Sequence, residues 1–80
     1  MLVKINMEKE ISWDDLESAD QVMVITAYCQ LLKTEKSDIM LRIFNLGNPK
    51  IVIGQNGENA YCRVHKDSVD IIKLLIRQYL

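Results

Sequence analysis

Asn56-Gly57 stands between two strand-like runs, Ile51-Val52-Ile53 before it and Ala60-Tyr61-Cys62-Arg63-Val64 after it, and this constrains the fold more than any other feature. Asn and Gly both accept φ > 0, which the mirror-image two-residue turns of hairpins require because their twist matches that of the strands they join. With Asn56-Gly57 at the turn centre, Ile53 pairs with Ala60, Val52 with Tyr61 and Ile51 with Cys62. Ile51, Ile53, Ala60, Cys62 and Val64 then make one small apolar face, and Lys50, Val52, Tyr61 and Arg63 make the other.

The run Ile39-Met40-Leu41-Arg42-Ile43-Phe44-Asn45-Leu46 alternates about Arg42 and predicts a further strand. A three-residue connection, Leu46-Gly47-Asn48, sets Ile43 opposite Ile51 and keeps the apolar faces together, since a one-residue slip sends every side chain to the wrong face. Residues 39–64 are therefore expected to form an antiparallel meander. Near the N-terminus Val3, Ile5 and Met7 alternate with Lys4 and Asn6, which predicts a first strand over 2–7.

Ser12-Trp13-Asp14-Asp15 has the form of a capping box, so a helix is expected from Trp13, apolar over most of its girth as far as Leu32. Two other readings of this segment stay open. A second cap signal, Ser18 with Gln21, splits it into two helices, and the β-branched run at 22–29 also suits a strand buried on both faces. Asp67 or Ser68 caps a last helix over 69–80. The expected order is β-α-β-β-β-α: a single domain over 1–80 of the α+β class, two-layered, with two helices on one face of a four-stranded sheet.

Composition limits what such a domain can do. Eighty residues hide only about 60% of their unfolded surface, so apolar area left over on the two helices marks an interface, with a homodimer the simplest case. Ten Lys and Arg against eleven Asp and Glu leave a net charge of −1, which removes the electrostatic drive of a general nucleic-acid binder. The balance is uneven along the chain: residues 1–32 carry −4 and residues 33–80 carry +3. Glu8, Glu10, Asp14, Asp15, Glu17 and Asp20 concentrate the acid, with Trp13 among them as an aromatic anchor, and this set is expected to meet a basic partner surface. There is no membrane-length apolar stretch and no export-signal pattern, so a cytoplasmic protein with Cys29 and Cys62 reduced is expected.

The string Ile51-Val52-Ile53-Gly54-Gln55-Asn56-Gly57 resembles the signature loop of the KH RNA-binding family. The resemblance implies a single strand of RNA gripped at Gly54, Gln55, Asn56 and Gly57, with Lys50, Arg63 and Lys66 beside it. This chain has Gln55-Asn56 where that family usually carries Lys or Arg, and a strand-like run where the family has a helix. An α-β-β-β-α order is also similar to that of the double-stranded-RNA-binding family. Its lysine cluster at the start of the last helix is replaced here by Lys66 beside Asp67 and Asp70.

His65 follows Cys62 in a Cys-x-x-His string, half of a zinc site with no second half in view. Neither a metal, a cofactor nor a catalytic constellation is expected. The residues therefore read as a non-enzymatic interaction module, an inhibitor or adaptor that covers a partner's surface. Small phage or mobile-element proteins that block a host factor, the anti-CRISPR proteins among them, are of this kind.

Overall fold

The hairpin forms, with its turn one residue further along than Asn56-Gly57. In this computed structural model, which describes residues 7–80, strands β2 (Lys50–Asn56) and β3 (Asn59–Val64) pair with Ile53 opposite Cys62, Val52 opposite Arg63 and Ile51 opposite Val64. The loop residues are thus Gly57 and Glu58. Gly57 has φ 64° at the first loop position, where a type II′ turn calls for glycine. Because the register moves by two residues, the faces keep their composition: Ile51, Ile53, Cys62 and Val64 point inward. The shift sets Gly54 rather than Val52 opposite Tyr61.

The run at 39–46 is a helix, which corrects the expected third meander strand. Helix α2 (Ser37–Gly47) buries Met40, Ile43 and Phe44, the i, i+3, i+4 spacing of a helical face. Alternation of Ile39, Leu41 and Ile43 about Arg42 suits a strand equally, and eight residues are short enough for either, so the packing of Phe44 on Trp13 and Tyr28 decides between them. Asn48 closes the helix in the left-handed region at φ 40°, and Pro49 follows. Deleting a side chain as deeply buried as Phe44 costs about 3–5 kcal/mol.

The sheet among the described residues accordingly has three strands. Its order is β1-β2-β3, antiparallel throughout, with β1 (Met7–Ser12) paired to β2 through Ile11 opposite Ile51 and Met7 opposite Gln55. Of the strand expected over 2–7, only Met7 lies among the described residues. The chain runs β1, α1 (Ser18–Leu32), α2, β2, β3, α3 (Val69–Tyr79), an α+β fold with helices packed on a sheet.

The capping box at Ser12 is not used. Trp13–Asp15 is one 3₁₀ turn, Ser12 makes no side-chain cap bond, and Leu16 is extended. The Trp13 amide instead donates to Pro49 O at 2.9 Å, prolonging the β1–β2 ladder before the chain turns. The second cap signal is not used either: α1 starts at Ser18 behind Glu17 as N-cap, with no side-chain cap bond, and it runs unbroken through 22–29, so the strand alternative there falls away. Ser68 acts differently from a cap: its Oγ accepts from the Lys50 amide at 3.0 Å, tying the start of α3 to β2.

Trp13, Val24, Met40, Ile43, Phe44, Ile51, Val64 and Ile72 form the centre of the core. The Trp13 ring lies 4.9 Å from that of Phe44, and Tyr28 meets Phe44 edge-on at 5.3 Å. Trp13 Nε1 donates to Asn45 Oδ1 at 2.8 Å, satisfying a polar group that would otherwise be stranded.

Candidate functional site

Two surfaces among the described residues bear on the expected site: the sheet face turned away from the helices, and a furrow between α1 and α2. Strand alternation places Glu8, Glu10, Lys50, Val52, Gly54, Tyr61 and Arg63 on the first. Its charges engage one another. Lys50 Nζ is 3.8 Å from Glu10, and Arg63 is 3.7 Å from Glu8. Tyr61 donates its hydroxyl to Glu8 at 2.7 Å, and this bond to a carboxylate raises the phenol pKa above its ordinary value. His65 Nδ1 accepts from the Asp67 amide at 3.1 Å, which directs an Nε2–H toward Glu10, also at 3.1 Å. Val52 is buried beneath these polar groups.

This arrangement divides the acidic set expected to dock a partner. Glu8 and Glu10 are held on the sheet face by Lys50, Arg63, Tyr61 and His65. Asp20 is half-buried on α1 near Cys62, where burial first and the Asp20 charge second push the thiol pKa up. Trp13, at 1% exposure, is a core residue and not a surface anchor. The indole fills the junction of β1, α1 and α2, a better home for its apolar area than solvent. Asp14, Asp15 and Glu17 stay exposed together in the corner leading into α1.

The geometry implied by the KH resemblance does not form. Gly54 lies within strand β2, where a Cβ would run into the Tyr61 ring, and Gly57 makes the hairpin turn. Gln55 and Asn56 are exposed at the end of β2, and the residues after Gly57 build β3 where that family has a helix. Lys50 and Arg63 share their face with two glutamates, and Lys66 is exposed in the 3₁₀ turn Lys66–Ser68. The α-β-β-β-α likeness goes too, because its first strand is helix α2. Cys62 faces the core while His65 meets Glu10 on the opposite face, so the Cys-x-x-His pair does not converge.

The furrow between α1 and α2 is the apolar surface. Val22, Ile25, Thr26 and Leu41 line it, with Ser18 and Gln21 along α1 and Ser37 and Asp38 from the start of α2. Its volume is about 520 Å³. Ile25 forms a buried floor, whereas Val22 is 64% and Leu41 42% exposed. Gln21 is held in place by donating its side-chain amide to Trp13 O at 2.9 Å. Asp38 is the one charged residue in the lining among the described residues, and Glu17 immediately precedes Ser18. The wall made by Leu41 was hidden from sequence reasoning, because a strand at 39–46 puts Leu41 in the core. Only the excess apolar girth of the first helix pointed to it. Comparison of the chain with protein-family models, with curated proteins and with solved structures finds no match.

Proposed function

We propose that the protein is a non-catalytic interaction module, an inhibitor or adaptor that acts by occupying a partner protein's surface. The observation that carries this reading is the α1–α2 furrow, where Val22 and Leu41 stand open to solvent above the buried Ile25. Exposed apolar side chains around a concave floor, rimmed by polar groups, are the usual form of a protein-docking site. Asp38 within the lining, with Glu17, Asp14 and Asp15 beyond the Ser18 end, gives the rim a negative character. A partner that inserts an apolar side chain and surrounds it with Lys or Arg complements that surface. A protein whose basic face otherwise holds nucleic acid meets this description. In the cytoplasm, a host defence protein blocked by a phage or mobile-element inhibitor of the anti-CRISPR kind is the case in point.

Affinity capture of the tagged protein from its native host lysate, with and without nuclease, tests the reading when run beside Val22→Glu and Asp14→Lys/Asp15→Lys variants. One stoichiometric protein that survives nuclease, disappears with Val22→Glu and weakens with the lysine pair is the expected result. Capture abolished by nuclease overturns it in favour of nucleic-acid binding through Lys50, Arg63 and Lys66.

A further inference from the structure

Helix α3 turns one side to the core and leaves a second apolar stripe uncovered. Ile72 is buried, and Val69, Leu75 and Ile76 are half-buried against the core. Ile71 and Leu74, by contrast, are 43% and 51% exposed. With Gln78 they follow a 3-4 spacing, the seam of a two-helix coiled contact. Leu46 lies next in the chain to the point where α2 meets α3. It is exposed and precedes Gly47, whose bare backbone lets Ile72 and Leu75 pack so closely that a Cβ would come within 2.9 Å of Ile72 Cδ1.

The charges beside the stripe identify what covers it. Asp70 and Arg77 are both exposed, and being seven residues apart they flank the seam on its solvent side. When two such helices cross antiparallel, Asp70 of one copy meets Arg77 of the other, and the twofold axis repeats the pair. A parallel crossing would set the Asp70–Arg77 flank of each helix against the Leu75 flank of the other, where no opposite charge answers them. We infer that α3 pairs antiparallel with α3 of a second copy of this chain, sealing Ile71 and Leu74 under two reciprocal Asp70–Arg77 contacts.

The sheet edges offer no comparable route. On β1 the order Glu8-Lys9-Glu10 brings glutamate opposite glutamate when the edge pairs with itself about Lys9, the kind of charge that protects an edge strand. On β3, helix α1 packs against the strand. The α1–α2 furrow lies on other helix surfaces and remains open in each copy, so the dimer presents two docking sites.

Sedimentation of the intact chain over a concentration series tests the pairing. The wild type is expected to shift from one chain mass to two. Asp70→Arg or Arg77→Asp places like charges together and weakens the dimer by about tenfold or more, and Leu74→Glu abolishes it. The combined Asp70→Arg/Arg77→Asp chain restores it, which a merely structural role for either side chain would not do. A wild type that stays monomeric at its highest soluble concentration overturns the inference and leaves the stripe to a different protein. A double reversal no tighter than the single ones overturns the register. Val22→Glu leaves the dimer mass unchanged, so this outcome is independent of partner capture.

Discussion

The ring of Tyr61 lies over Gly54 on the neighbouring strand, and its hydroxyl reaches Glu8 on the strand beyond, so one side chain bridges the whole sheet. The missing Cβ at Gly54 makes room for the aromatic ring, which in turn covers backbone that a bare glycine leaves exposed. Gly54→Ala forces the ring aside and should destabilise the protein by about 1–3 kcal/mol. In a Tyr61→Ala background the same change should cost far less. Urea unfolding of the four members of this cycle measures the coupling.

Trp13 is the sole tryptophan, packed against Phe44 with its Nε1 bonded to Asn45. Its fluorescence should be blue-shifted in the native state and move to the red on unfolding. Asn45→Ala leaves the buried N–H without a partner and should lower stability by about 1–3 kcal/mol. A parallel red shift in native emission would accompany any water that enters to replace Asn45.

Tyr28 and Cys62 both have pKa values raised in the first place by burial. In the unfolded chain the thiol loses its proton near pH 8.5 and the phenol near pH 10, while the folded protein still holds both. The folded state then binds more protons, so stability is complete below these values and falls as pH rises through them. Thermal melts from pH 7 to 11 should show a falling Tm above about pH 8.5, and Tyr28→Phe should flatten the steeper decline at the alkaline end. Alkylation of Cys62 should need higher pH in the native protein than in urea.

Helix α1 ends with Lys33 at φ 54°, a left-handed conformation that a side chain adopts at a penalty. Lys33→Gly relieves it at the position where helices most often place glycine, and the gain should be on the order of 0.5 kcal/mol after the added freedom of the unfolded chain. A slightly higher Tm checks this. Lys33→Ala, which keeps the Cβ, should bring no such gain.

The hairpin, the last helix and the inward faces of β2 and β3 were legible because turn chemistry and strand alternation agree there. Ile51, Ile53, Cys62 and Val64 point to the core as the sequence implied. The run at 39–46 misled because Ile39, Leu41 and Ile43 alternate about Arg42 while Ile39, Met40, Ile43 and Phe44 share one helical face. Only the resulting contacts, Phe44 on Trp13 and Tyr28, separate the two. The extent of β1 over Glu8 to Ser12 was missed for the opposite reason: Glu8-Lys9-Glu10 is poor strand material by propensity, and its place is secured by partners some forty residues away. The same distance effect hid the fate of the acidic set, since nothing near Glu8 or Glu10 announces Arg63, Tyr61 or His65.

That remoteness sets the order in which the protein assembles. β2 and β3 meet across a two-residue loop, whereas β1 joins β2 only after α1 and α2 have been carried between them. Closing the long loop sacrifices chain entropy before the ladder returns anything, so the hairpin and the helices are expected to form first and β1 to dock onto them last. In native-state hydrogen exchange the β1 amides should therefore open with β2's partner groups at lower free energy than the β2–β3 ladder. The face that brings Glu8 and Glu10 to their cations should then be the final surface to appear during folding and the first to come apart.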